Sequence, residues 1–497
     1  MTLKTPLSTQ IKGIRDRIPI ITKISYGLGT GLDMWGFWLY AGVAYAVFNI
    51  YLKVPALWVG IALFAIRIID ALVDPIVGWI SDNLRTKIGR RRPFILIAGI
   101  LSGLGLPLLF FVSPEWINIK FLGISVIFWY MLGSSLIYIP IISSFSIPWN
   151  SLGPELSPDY DERTSIMTYR SVMQKIFEIG NFYALKFTNL SWFLLTDAAG
   201  NPKLDPDTGE KLKNTLHGMQ VYTSILGVVM AILAIIIFFN VKERYYDKVV
   251  EKTTKQISLK SSFGETLRCK PFRMLLFMGA AFTMGTSMVG TLGYYTTVYY
   301  VSGGDKRVGD SWNFWVGLAF MIGGTLGAPL LNRIANIIGK RSAVYVAAII
   351  GFIGYGGSWF MYTPDIMWLQ TIASGLMGFT ASALWMLHSS IIADIIDYDE
   401  LNSAIRREGS FTACSSYILK LGNSTGFLIA GIILPLSGFN AAIGSQSSDT
   451  IFWIRFSLAV LPIIGLTFVI YFISRMELTK QRCIEIRDAL EKRRGTV

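Results

Sequence analysis

Two aspartates, Asp70 and Asp74, stand four residues apart inside the apolar stretch Phe64-Ala65-Ile66-Arg67-Ile68-Ile69-Asp70-Ala71-Leu72-Val73-Asp74-Pro75. Helical residues i and i+4 lie one above the other, so a helix here presents both carboxylates on one face. A charge at bilayer depth is expensive, and acids placed there usually face a wet cavity on an ion or proton path. Two close carboxylates also repel each other, which favours capture of a cation or a proton. The chemistry on offer is reversible binding of positive charge. The blander alternative is polar glue between helices.

The elements that must hold this pair are membrane spans. Of 497 residues, 52% are hydrophobic and 15% charged, too little charge for a soluble domain of this size. Apolar runs of roughly 20 residues recur, each long enough to cross about 30 Å of hydrocarbon. Twelve spans are expected, at about 24–51, 56–80, 93–113, 119–148, 166–190 and 219–240, then at 271–300, 311–334, 342–362, 367–392, 410–438 and 451–475. The expected fold is an all-α membrane protein of two six-helix halves. Residues 1–240 form one half and 271–497, with a basic tail, the other; a polar, Lys-rich cytoplasmic linker at 241–270 joins them. Segment 191–217, with Asn201-Pro202-Lys203 and Asp205-Pro206-Asp207-Thr208-Gly209, reads as an outward loop carrying a small hairpin.

The net charge is +13, but its basic residues are not pooled. They sit before Lys23, in the 83–92 loop, in 241–270, at Arg333, Lys340 and Arg341, and after Arg475, while alternate loops are neutral or acidic. This alternation places both termini in the cytoplasm. Basic clusters separated by spans argue against nucleic-acid binding. Cys269, Cys414 and Cys483 are too far apart for a disulfide framework or a metal motif. Residues 1–20 lack the short apolar core of a cleaved signal peptide. An internal repeat supports the two halves: Asp82 and Asn332 each stand seven residues before the glycine of Gly89-Arg90-Arg91 and Gly339-Lys340-Arg341. Paired repeats suit a transporter that rocks about a midplane site.

Gly78…Asp82…Gly89-Arg90-Arg91 resembles the cytoplasmic signature of the major facilitator superfamily. Three segments narrow the resemblance: Arg67-Ile68-Ile69-Asp70-Ala71-Leu72-Val73-Asp74-Pro75, Gly89-Arg90-Arg91-Arg92-Pro93-Phe94, and Ala393-Asp394-Ile395-Ile396-Asp397-Tyr398 followed by Arg406-Arg407-Glu408-Gly409. Together they are similar to the glycoside–pentoside–hexuronide:cation symporters, and the similarity runs over nearly all twelve spans. The resemblance implies the following roles. Asp70 and Asp74 match the paired carboxylates of the cation site. Ser146 falls where a family member has a third acid, with Ser143 one turn earlier as a further oxygen. Arg170, Lys420 and Trp385 match sugar-site positions, and Asn150 falls where the family has an aromatic, with Trp149 one place before it. Asp33 is one residue before the expected sugar-binding acid, where Met34 stands. Asp82, Arg90, Arg91, Asp394, Asp397 and Arg407 are gating parts that hold helix ends in one state and release them in another.

Val73 replaces a polar amide and Ser146 an acid, which leaves the site poor in oxygens. A hard cation such as Na⁺ wants several oxygen ligands, by analogy with Ca²⁺ and Mg²⁺, whereas a proton needs one carboxylate. H⁺ coupling is therefore expected over Na⁺. The implied function is symport of a sugar, glycoside, pentoside or hexuronide with that cation across a bacterial inner membrane, with no bound cofactor. Asp33, Asp70 and Asp74 against Arg170 and Lys420 make the cavity less negative than a family member's, which favours an acidic sugar. A lipid or lysolipid carrier of the same superfamily and a sugar receptor without flux are the alternatives. No nucleophile–base pair supports a membrane enzyme. Lys175 and Glu178 read as a local structural pair, and His388 as a packing histidine.

Overall fold

The computed structural model describes residues 17–84, 86, 88–157, 160–197, 199–204, 211–243, 266–403 and 407–494. Most of the expected linker, and Asp205-Pro206-Asp207-Thr208-Gly209, lie outside these residues, as does the side chain of Asp82. Helix α1 runs over 20–51. It is α-helical at Ile20–Asp33 and Tyr40–Ala44, with wider π turns at Met34–Leu39 and Tyr45–Tyr51. The first half continues with α2 (Ala56–Asn83), α3 (Arg92–Gly105), α4 (Val126–Glu155), α5 (Tyr160–Thr188) and α6 (Thr215–Asn240). The second half comprises α7 (Lys270–Thr296, prolonged by a π turn at Thr297–Val301), α8 (Lys306–Ile338), α9 (Lys340–Met361), α10 (Leu369–Ser403), α11 (Glu408–Leu436) and α12 (Ser448–Ser474). A further helix, α13 (Lys480–Arg494), packs on α10.

Ten of these helices are long and apolar enough to cross a membrane. The two long ones that do not qualify are instructive. π turns interrupt α1, and α5 carries Arg170, Lys175, Glu178 and Lys186 along its length. Charge of that density is tolerable at bilayer depth only on a face turned to the bundle interior.

Helix pairing repeats between the halves. The contacts α1–α5, α2–α4 and α3–α6 recur as α7–α11, α8–α10 and α9–α12. Across the halves α2 packs on α11 and α8 on α5, which is one contact transformed by the same repeat. Close approach needs small residues where no hydrophobic force separates helix from lipid. Gly103 of α3 and Gly227 of α6 meet backbone to backbone, and a Cβ on either would strike the other's carbonyl.

The fourth span starts seven residues later than expected, at Val126 instead of 119. Ile119, Phe121 and Leu122 are apolar but belong to a hairpin of β1 (Lys120–Phe121) and β2 (Ile124–Ser125). Its turn takes positive φ at Leu122 (51°) and Gly123 (78°), and Ser125 then caps α4. In the loop after α5, antiparallel bridges join Leu194 to Lys213, Thr196 to Pro202 and Leu204 to Lys211. Asp197 there accepts backbone N–H bonds from Asn201 and Ala199, which hold its carboxyl below the ordinary range.

The start of α1, beside the end of α6, and the start of α13, beside the end of α8, mark one end of the bundle, the near end. Two glycines make its repeated loops. Gly89 (φ 112°) and Gly339 (φ 91°) both take backbone conformations that L side chains resist. Gly89 has a second duty: a Cβ there would sit 2.6 Å from the Glu243 carboxylate. That carboxylate, just past α6, accepts from the backbone amides of Arg90 (3.2 Å), Arg91 (2.7 Å) and Arg92 (3.2 Å). It satisfies donors that the start of α3 leaves open and suits the positive end of the helix dipole. Gly89→Ala should therefore destabilise the protein by about 1–3 kcal/mol, since it adds strain and displaces this cap. Gly133→Ala, at an open helical position, should be neutral or slightly stabilising. Thermal unfolding in detergent measures both.

Candidate cation and substrate site

The α2 helix turns about 100° per residue, so Arg67, Asp70 and Asp74 share a stripe. Asp70 is fully buried. Its Oδ2 lies 3.4 Å from Arg67 Nη1 and 3.0 Å from Lys420 Nζ of α11, and Ser143 Oγ of α4 donates to its Oδ1 at 3.4 Å. Lys420 also donates to Asp74 Oδ2. The Lys420 and Asp74 side chains stay 26% and 29% exposed, so this side of the cluster is not sealed. Pro75 has no N–H to offer the Ala71 carbonyl, which leaves a backbone oxygen within a turn of Asp74. Arg67 is anchored from α1. Its Nη2 donates to the Phe37 carbonyl at 3.1 Å, and its guanidinium lies 5.1 Å over the Trp38 ring. Both residues belong to the π turn, where backbone bonding leaves the α register and a carbonyl can serve an outside donor.

A second polar chain joins α1, α4 and α5. Ser146 Oγ donates to Asp33 Oδ1 at 2.5 Å, and Asn150 Nδ2 donates to Ser146 Oγ at 3.1 Å. Arg170 Nη2 donates to Asn150 Oδ1 at 2.6 Å. Arg170 also lies 4.7 Å over the Trp149 ring. Among the described residues no carboxylate makes an ion pair with Arg170; its polar partner is a neutral amide.

Three of the expected site residues have other partners in this structure. Ser146 was expected at the cation site, but its hydroxyl faces Asp33 instead of the α2 pair, and Ser143 is the serine that reaches Asp70. Lys420 was expected among the sugar ligands, yet its amine bridges the two carboxylates. Trp149 was expected to touch substrate, but it is wholly enclosed. Its indole N–H donates to the Tyr26 carbonyl at 3.0 Å, and its ring stacks on Tyr26 and Phe145, so it is a platform under Arg170.

Asp33, and not its neighbour Met34, meets Ser146; the buried Met34 sulfur accepts from Gln174 Nε2 at 3.9 Å. Trp385 is 40% exposed and meets Phe282 edge to face at 6.1 Å. His388 is buried with Nε2 2.9 Å from Ser415 Oγ, as a packing histidine should be. Lys175 and Glu178 pair at 2.8 Å.

At the near end, Arg90 and Arg91 are buried beside the Glu243 cap. Asp394 pairs with Lys340 at 2.7 Å and Arg407 makes a two-pronged pair with Asp399 at 2.8–3.0 Å; Asp397 lies between the two acids on α10. Sequence reading missed Glu243, Asp399 and the role of Arg67. Arg67 was legible as i−3 of Asp70. Glu243 was hidden at the edge of a charged linker.

The MFS/sugar transport protein family matches this chain over residues 25–480. The isoprimeverose transporter of Lactiplantibacillus pentosus is 24% identical over 464 residues, covering 91% of this chain and 87% of its own. The glucuronide carrier protein homolog of Escherichia coli (strain K12) is 25% identical over 450 residues, covering 89% of both chains. The crystal structure of the nucleoside transporter NupG aligns with a TM-score of 0.62 over 92% of this chain and 98% of that one, at 13% identity. The last likeness is one of fold alone.

Removing one member of a buried ion cluster leaves the other charges uncompensated. Lys420→Gln should lower stability by about 3–5 kcal/mol. Adding Asp74→Asn should restore most of it by rebalancing charge. Equal unfolding temperatures for the wild type and the single variant would refute the pairing.

Proposed function

Because the chain belongs to the MFS/sugar transport protein family, as a glycoside–pentoside–hexuronide:cation symporter of the major facilitator superfamily, we propose that it imports a sugar together with a proton by alternating access. It is a multi-pass membrane transporter and not an enzyme. The observation that carries the proposal is the Lys420 amine bridging Asp70 and Asp74 between α11 and α2. It ties the two halves together through the charges that a coupling cation must compensate. When a cation or proton takes over that compensation, Lys420 is released and the halves can move.

The described ion pairs at the near end, Lys23–Glu162, Lys340–Asp394, Arg407–Asp399, Lys270–Glu477 and Arg482–Glu485, each lie within one half. Bonds that cross the halves cluster at the opposite, far end, such as Tyr45 to the Phe427 carbonyl at 2.6 Å. This supports an inward-facing state of a bacterial inner-membrane protein with both termini in the cytoplasm. Proton coupling is favoured because Ser146 is committed to Asp33. Asp70, Asp74 and Ser143 then remain as side-chain oxygens, too few for a well-coordinated Na⁺. The substrate favoured is a uronide. Arg67 and Lys420 pair with carboxylates, while Arg170 donates to the Asn150 amide and makes no ion pair among the described residues, so it can give a planar fork to a sugar carboxylate.

Counterflow in proteoliposomes tests this, with neutral glycosides, pentosides and hexuronides offered and pH and Na⁺ varied independently. Uronide exchange driven by a pH gradient, abolished as cation dependence in Asp70→Asn and Asp74→Asn, is the expected result. Arg170→Gln should raise the uronide KM by roughly 10–100-fold, the loss of a charge-assisted bond. Neutral glycosides outcompeting uronides would overturn the acidic-sugar assignment. No sugar exchange, with lysolipid uptake instead, would overturn the sugar assignment.

A further inference from the structure

Asp310, one turn into α8 at the far end, is a fully buried carboxylate that accepts from three side chains. Tyr51 of α1 donates to Oδ2 at 2.9 Å, and Asn189, just past α5, donates to the same oxygen at 2.9 Å. Tyr294 of α7 donates to Oδ1 at 2.6 Å. Two of these donors belong to the first half, while Tyr294 and Asp310 belong to the second. We infer that Asp310 is the latch of the far-end gate, a residue that holds the two halves closed on that side and must be released for the site to open there.

The argument rests on what each state does with the charge. A carboxylate cut off from water is tolerable only when its oxygens are hydrogen-bonded. With the far end closed, Tyr51 and Asn189 supply bonds from the other half. With it open, those two donors withdraw, but water can reach the carboxylate and take their place. Opening thus exchanges protein bonds for hydration and leaves no orphaned charge, which is the balance a reversible gate needs. The other described bonds across this end engage neutral acceptors: Tyr295 with Asn49 Oδ1, Tyr45 with the Phe427 carbonyl, and Lys53 with the Ala441 carbonyl. They seal equally well whichever way the charge is solvated. Lys306 is the nearby cation, 5.8 Å over the Tyr51 ring, and it belongs to the same helix as Asp310. It can follow the acid when the gate opens.

The inference rests on the alternating-access reading but not on the sugar or the ion. Spin-label distances in a variant lacking the three native cysteines test it without substrate. One pair, Leu122→Cys with Asp365→Cys, reports the far end; the other, Lys242→Cys with Gln481→Cys, reports the near end. Tyr51→Phe should raise the far-open population about tenfold, the effect of one charge-assisted bond lost, and Asp310→Ala, which removes both cross-half bonds, should raise it further. The double variant should shift no further than Asp310→Ala alone. If Asp310→Ala does not fold, Tyr51→Phe decides, because it removes a single oxygen. Unchanged far-end distances in a folded variant overturn the latch. Far-end lengthening with the near end unchanged supports the latch and contradicts the rocking motion instead.

Discussion

A carboxylate inside a bilayer must be compensated at every moment, and this constraint organises the molecule. Asp70 is cut off from solvent and Asp74 is partly so. In the state described, the compensation comes from Arg67 on the same helix and Lys420 on the other half. Arg67 is fixed by the π turn of α1, so it is a constant of the site. Lys420 stands on a helix that can move relative to α2. In the mechanism we propose, the positive charge that a coupling ion supplies replaces the charge that Lys420 supplies in its absence. Exchange of one for the other links ion binding to the relative position of the halves, and linkage requires the effect to be reciprocal.

The rest of the fold serves this exchange. Twelve helices repeat their pairing after six, so that α2–α11 and α5–α8 are equivalent seams. The ion cluster occupies the first seam. Near the second, α5 brings Arg170 to the chain of Asn150, Ser146 and Asp33. One helix, α4, serves both sites, with Ser143 turned to the ion cluster and Ser146 to the polar chain, so a shift of α4 is felt by both. The Glu243 cap and the Gly89 turn tie the start of α3 to the end of α6.

Much of this was legible in the residues. Apolar runs and basic alternation gave the spans, and the i, i+4 spacing of Asp70 and Asp74 put them on one face. Spacing in sequence could not reveal that Lys420, 346 residues from Asp74, meets it in space. Trp149 has a residue type suited to sugar stacking, but the turn of α4 packs it into the wall against Tyr26 and Phe145, a placement that its residue type does not reveal. Asp33 looked one residue out of place, yet it is the α1 side chain that meets Ser146. The apolar hairpin at 120–125 imitated the start of a span because hydropathy does not register a positive-φ turn.

The most direct measurement is cation binding to purified protein by titration calorimetry, with H⁺ and Na⁺ varied separately, in the wild type and in Lys420→Gln. If the amine and the coupling ion compete for the same carboxylates, the variant should bind its cation about tenfold or more tightly, and sugar should no longer alter that affinity. Unchanged or weaker cation binding in folded Lys420→Gln protein would contradict the account.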